Sequence, residues 1–193
     1  MNFYKNFITP LKRYSKLSKN LEIDLWIKHD DQIPYAYGGG KARKLIRIFN
    51  DTNKENYNAI VTTGGIFSNH VRVVAIMAAE KGMKTKIFIH ESKPQFMTTN
   101  LKIAYLVGAD ICFVKRKNLK QILDNEFLDL KSLGYNPHYI YGGGHTYSGI
   151  KSFQDSASEL ANQCKKHKIK PKYLVVASGT GSTQAGLIAG SSK

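Results

Sequence analysis

Ala59-Ile60-Val61-Thr62-Thr63-Gly64-Gly65-Ile66-Phe67-Ser68-Asn69-His70-Val71-Arg72 runs from a short β-branched segment through two glycines into a hydroxyl residue and a helical pattern. The first five residues read as a buried strand, and the glycines break it. Val71, Val74, Ala75, Ala78 and Ala79 then repeat at helical spacing up to Lys81-Gly82, a C-terminal stop signal, with Ser68 placed as an N-cap. Strand, glycine loop and helix follow one another in 24 residues of a chain of 193.

The same unit recurs downstream. Strands are expected over 85–90, 110–114 and 138–141, and helices over 98–107 and 119–133. Strands alternating with helices imply parallel βαβ units with right-handed crossovers, an α/β fold. Upstream, residues 8–17 read as an irregular approach containing Pro10, residues 25–29 as a strand, and residues 41–49 as a helix whose apolar face is Leu45, Ile48 and Phe49. At the other end the spacing predicts a helix over 150–166. The continuous apolar run Tyr173-Leu174-Val175-Val176-Ala177 then predicts a strand covered on both faces.

Three glycine clusters punctuate this order. Gly38-Gly39-Gly40 precede Lys41 at the start of a helix, where close backbone approach beside an amine suggests a held ligand and an imine-forming lysine. The alternative for any one of 29 lysines and arginines is a solvated surface charge. Gly142-Gly143-Gly144 follow a short strand. Ser178-Gly179-Thr180-Gly181-Ser182-Thr183 lead from an apolar run into a helix, which aims backbone N–H groups and a helix dipole at one spot and favours a phosphate. That pattern is neither a Walker loop nor a dinucleotide fingerprint, and a tight structural turn is the competing reading. Ser68 is open to two readings, a helix cap worth ~1 kcal/mol or a functional group. Asn69 offers a donor and an acceptor suited to a phenolic oxygen.

The formal charge of +15 raises nucleic acid as a partner, but the basic residues are scattered, and a solvated lysine-rich surface is the commoner explanation. Cys112 and Cys164 form no zinc or CxxC pattern, so no metal site is expected. No signal peptide or 18-residue apolar span is seen, which makes the cytoplasm the expected compartment and excludes a membrane partner.

A lysine for an imine, a cup for a phosphate, and an amide with a hydroxyl for a ring together suit pyridoxal 5′-phosphate. The chain resembles the fold-type II pyridoxal-phosphate enzymes, specifically the D-cysteine desulfhydrase and 1-aminocyclopropane-1-carboxylate deaminase family. Gly38-Gly39-Gly40-Lys41-Ala42-Arg43-Lys44-Leu45 is similar to that family's GGNKxRKL, Gly64 to Arg72 to GGxQSNHxR, and Gly179 to Leu187 to GTGSTQAGL. The resemblance implies a tryptophan-synthase-β-like fold. Residues 1–52 would be the N-terminal part of the large cofactor-binding lobe, 53–150 a nearly complete small α/β lobe, and 151–193 the first helix, strand and phosphate loop of the remaining, incomplete large lobe. It implies Lys41 as the internal aldimine lysine and proton shuttle, Ser68 beside the substrate, Asn69 on the coenzyme's 3′-oxygen, and Gly179, Thr180, Gly181, Ser182 and Thr183 around the phosphate. It further implies a small amino-acid substrate of the D-cysteine or cyclopropane-acid type and a homodimer at full length.

The sequence departs from the family at Gly40, where relatives have Asn, at Phe67 for Gln, and at His145-Thr146 for Ser-Asn. It also stops at Lys193, whereas family members continue with later large-lobe strands, the pyridine-nitrogen partner and active-site tyrosines. Two other readings are therefore carried: a truncated, inactive family fragment acting as an interaction module, and a basic nucleic-acid binder.

Overall fold

In the computed structural model, which describes residues 8–52 and 55–191, the alternation within Ala59-Ile60-Val61-Thr62 sorts onto the two faces of a sheet. The elements in order are β1 (Leu11–Arg13), α1 (Ser15–Leu21), β2 (Trp26–Lys28), α2 (Gly39–Thr52), β3 (Ala59–Gly64), α3 (Asn69–Glu80), β4 (Lys84–Ile89), α4 (Thr99–Leu106), β5 (Asp110–Phe113), α5 (Leu119–Ser132), β6 (Pro137–Ile140), α6 (Tyr147–His167) and α7 (Ser182–Ser191). Short 3₁₀ turns lie at Asp30–Gln32, Arg116–Asn118 and Gly142–Gly144.

Four strands form a parallel sheet in the order β5-β4-β3-β6, with Ala59 opposite Lys84 on one side and Pro137 on the other. One face presents Ile60 and Ile140 to Leu45, Phe49, Val74 and Met77, and Ile87 and Ile89 to Val71, Leu101 and Ala104. On the opposite face Val61 and Phe88 pack on Leu130 of α5. Helices therefore cover both faces, as parallel strands require. Because every strand of this sheet points the same way, the loops after β3 and β6 leave one edge side by side. The Cβ that Gly142 lacks would sit 3.4 Å from the Thr63 carbonyl.

Outside the sheet, β1 and β2 make an antiparallel pair. Arg43 of α2 ties this region to α6: its guanidinium donates to both oxygens of Asp30, at 2.8 and 2.6 Å, and to Glu159 at 3.0 Å, while Lys28 reaches Glu159 as well. α7 lies directly on α6. A Cβ on Gly186 would come 2.3 Å from the Ile150 carbonyl, and one on Gly190 2.5 Å from Ala157 Cβ, so only glycine permits this approach.

Two expectations are corrected. Residues 8–17, read as irregular, contain β1 and the start of α1, because pairing with β2 supplies backbone partners that a short mixed sequence does not announce. Residues 173–177 form no strand in this structure: among the described residues no ladder reaches them, and Val175 is 91% exposed. Their apolar pattern is that of a covered strand, but a strand needs neighbours for its N–H and C=O groups. The expected boundary at residues 52/53 adjoins residues 53–54, which lie outside the described residues, and so do the first seven residues of the stretch searched for a signal peptide. Among the described residues no helix is long and apolar enough to cross a membrane.

Candidate functional site

Lys41 is the third residue of α2, launched from a backbone in which Ala36, Tyr37, Gly38 and Gly39 all have positive φ. Its Nζ lies 3.4 Å from the Gly143 carbonyl. A Cβ on Gly143 would stand 3.5 Å from that Nζ and 2.9 Å from Thr180 Cγ2, so the loop after β6 is held between the lysine and the loop before α7. One turn along α2, Lys44 is almost wholly buried and donates to Ser182 Oγ at 2.7 Å and towards the Gly143 carbonyl at 3.5 Å. Ser182 in turn shares a hydrogen bond with Thr180 Oγ1 at 3.2 Å. Three glycine-rich segments far apart in sequence thus meet at two amines.

Burial lowers the proton affinity of both lysines. Lys41 is pulled below the ordinary lysine range, and Lys44 is pushed down to about 8 by burial and then by the Lys41 charge. Among the described residues, none of the hydrogen bonds of either amine goes to a carboxylate. Two clustered cations with hydroxyls and no counter-charge are unfavourable unless an anion joins them. Ser182, at the positive end of the α7 dipole, adds to that demand. Gly181 has φ +82°, and no atom lies within 4 Å of the Cβ position of Gly179 or Gly181, so the loop backbone is open to a ligand. Thr183, in the first turn of α7, is half-buried. A phosphate group fits this donor set.

Ser68 caps α3, its Oγ accepting from Val71 N at 3.3 Å. Asn69 begins the helix, and its Oδ1 accepts from Arg72 Nη1 at 2.9 Å and Asn100 Nδ2 at 3.2 Å. The hydrogen bonds of Ser68 and Asn69 run towards α3 and α4 rather than to Lys41. Beneath this loop Thr62 Oγ1 donates to the Ile140 carbonyl at 2.6 Å, so its one proton is used and His70 Nε2–H must donate to it, at 2.9 Å. His70 is therefore the neutral Nε2–H tautomer, and its buried Nδ1 has no hydrogen-bond partner. Burial, then the charges of Lys41 and Lys44, push its pKa down to about 3.

The description "Pyridoxal-phosphate dependent enzyme" matches residues 4–193. The chain belongs to that enzyme family. Among curated pyridoxal-phosphate enzymes, it is 32% identical to a 1-aminocyclopropane-1-carboxylate deaminase of Bradyrhizobium diazoefficiens, over 94% of this chain and 58% of the relative. It is 31% identical to a D-cysteine desulfhydrase of Klebsiella pneumoniae, over 94% of this chain and 57% of the relative. The chain thus spans less than two thirds of the length of these curated relatives. A solved ACC deaminase homologue superposes with a TM-score of 0.83 at 24% identity, covering 96% of this chain and 56% of that one. A solved threonine deaminase from T.th. superposes with a TM-score of 0.69 at 20% identity, with 94% of this chain and 54% of that one covered. The fold is the α/β, tryptophan-synthase-β-like one of this pyridoxal-phosphate family.

Gly40, Phe67 and Thr146, where the sequence departs from the motifs it resembles, have distinct surroundings. A Cβ on Gly40 would meet Phe153 Cζ at 3.2 Å, so the Phe153 ring occupies the space beside it, 5.6 Å from Lys44 Nζ. Thr146 keeps a capping role, accepting from Gly149 N at 3.0 Å at the start of α6. Phe67 is 75% exposed, and its carbonyl accepts from Asn100 Nδ2 at 2.9 Å. Sequence reasoning assigned no role to Lys44, although its i+3 spacing from Lys41 signals a shared helix face. Nothing local in the sequence points to Asn100, which meets Asn69 across 31 positions.

Proposed function

We propose that this chain carries the lysine-bearing part of a pyridoxal-phosphate-dependent deaminase or desulfhydrase acting on a small amino acid of the D-cysteine or 1-aminocyclopropane-1-carboxylate type. The observation that carries the reading is the convergence of Lys41, Lys44 and Thr180 on Gly143, with Ser182 bonded to Lys44 and Thr180 and no carboxylate among the lysines' described partners. Lys41 Nζ is the amine that bonds the coenzyme; its lowered proton affinity helps it lose its proton, and the neutral amine is then available to take one from the substrate's α-carbon. Lys44 Nζ, the hydroxyls of Thr180, Ser182 and Thr183, and the backbone of Gly179 and Gly181 hold the phosphate. Asn69 Nδ2 donates to the ring's 3′-oxygen. Ser68 Oγ already accepts from Val71 N, which leaves its own proton to orient the substrate. When bound, pyridoxal 5′-phosphate draws electrons from the substrate's α-carbon, permitting elimination or ring opening with release of ammonia.

In this reading residues 1–52 and 151–193 belong to the large lobe and 53–150 to the small one. The full-length enzyme is a cytoplasmic homodimer. The test is to incubate the chain with the coenzyme, reduce it with borohydride and map the modified peptide. Attachment at Lys41, abolished in Lys41→Ala, is expected. Attachment at no lysine, or at Lys44 instead, overturns the assignment.

One observation favours a second reading, an inactive family fragment serving as an interaction module: the apolar run at 173–176 stands exposed and unpaired among the described residues. Turnover of D-cysteine or the cyclopropane acid by the purified 193-residue chain would exclude it.

A further inference from the structure

The Asn69 amide has two chemically opposite ends, and only one of them can serve the ring oxygen assigned to it above. Which end faces the site follows from Arg72, because a guanidinium can only donate. Arg72 Nη1 lies 2.9 Å from one end of the Asn69 amide and 3.0 Å from one end of the Asn100 amide, so both of those ends are oxygens. The other end of Asn100 is then its NH₂, and its surroundings agree: it meets the Phe67 carbonyl at 2.9 Å and Asn69 Oδ1 at 3.2 Å, both acceptors. Asn69 Oδ1 thus receives two donors, and its Nδ2 is left without a protein partner among the described residues.

We propose that Asn100 is a positioning residue that, with Arg72, fixes the Asn69 amide so that Nδ2 rather than Oδ1 faces the coenzyme site. The surrounding structure holds Asn100 in turn. It is the second residue of α4, whose N-cap Thr98 accepts from Leu101 N at 3.4 Å and donates to the Ile66 carbonyl. The first turn of α4 therefore grips two successive carbonyls of the loop before Ser68. Arg72 also lies over the Tyr37 ring at 5.7 Å, which links the arrangement to the positive-φ segment that launches Lys41.

The orientation stands on this chain alone, while its use by a ring oxygen rests on the proposed function, and the two are tested separately. In Asn100→Asp the charged carboxylate draws Arg72 onto itself and away from Asn69, and places an oxygen against Asn69 Oδ1, so the released Asn69 amide flips and donates to residue 100. In Asn100→Ala no acceptor is supplied, and Arg72 keeps Asn69 as it is. Side-chain amide NMR of the 193-residue chain without coenzyme should show Asn69 NH₂ protons that exchange freely with water in wild type and Asn100→Ala and are protected in Asn100→Asp. Protection already in wild type, or the same behaviour in both variants, overturns the inference.

The second arm follows the pH at which the absorbance of bound coenzyme changes. Loss of a donor to the ring oxygen raises it, by about one unit in Asn69→Ala and in Asn100→Asp, and by no more in the double variant. Addition of the two shifts overturns the positioning role. The expected NMR pattern with no shift in Asn69→Ala leaves the orientation standing and contradicts the ring-oxygen assignment instead.

Discussion

Lys44 and His70 are the two side chains whose protonation the fold controls most strongly. With Lys44 held at about 8 in the folded chain against an ordinary 10.5, the unfolded chain binds more protons through that window. The contribution of Lys44 to stability should therefore rise with pH between about 8 and 10.5 and be lowest where the ammonium is fully charged. Lys44→Met should flatten that limb of a denaturation-versus-pH series. Inorganic phosphate should stabilise wild type most below pH 8 and Lys44→Met little, as ligand linkage requires. His70 works in the acid range: its folded pKa of about 3 lies below the unfolded 6.5, so its contribution to stability is intact above 6.5 and is lost as pH falls towards 3. His70→Gln, whose amide can still donate to Thr62, should lessen that acid loss in the same measurement. The places of Lys41 and Asn69 in the first turns of α2 and α3 were legible in the sequence because a glycine-flanked lysine and a capped helix start are local signals. The contacts of Lys44, Arg72 and Asn100 were not, because they come from partners 138, 28 and 31 positions away and from which atoms can donate.

At the scale of elements, the strand-loop-helix run from Ala59 to Glu80 was readable because its pattern and its burial agree: Ile60, Val61, Val71, Val74 and Met77 have no exposed surface. The run at 173–177 was misread for the complementary reason, since pattern reports what a strand can bury and not whether a ladder is there to receive it. Gly186 was read only as part of a phosphate motif and Gly190 not at all, yet the two set the distance to α6 and so place Ser182 against Lys44. Gly186→Ala should cost about 1–3 kcal/mol in chemical denaturation, the usual range for overpacking. It should also weaken phosphate-dependent stabilisation, because Ser182 moves with the helix. An unchanged unfolding midpoint would mean that α7 is free to shift off α6.

For the whole molecule, the parallel sheet β5-β4-β3-β6 gathers the loops after β3 and β6 at one edge, and α6 with α7 brings the remaining loop to them. A groove of about 930 Å³ lies elsewhere, lined by Pro10, Leu11, Arg43, Ile46, Glu159 and Gln163, and it includes neither Lys41 nor Ser68. If the cup of Lys44, Thr180 and Ser182 holds a phosphate, this chain should prefer pyridoxal 5′-phosphate over pyridoxal. Binding measured for both ligands, in wild type and Lys44→Met, tests this directly. A preference of at least about tenfold, the scale of one charge-assisted contact, that shrinks in Lys44→Met is the predicted result; equal affinity of wild type for the two ligands would contradict the account.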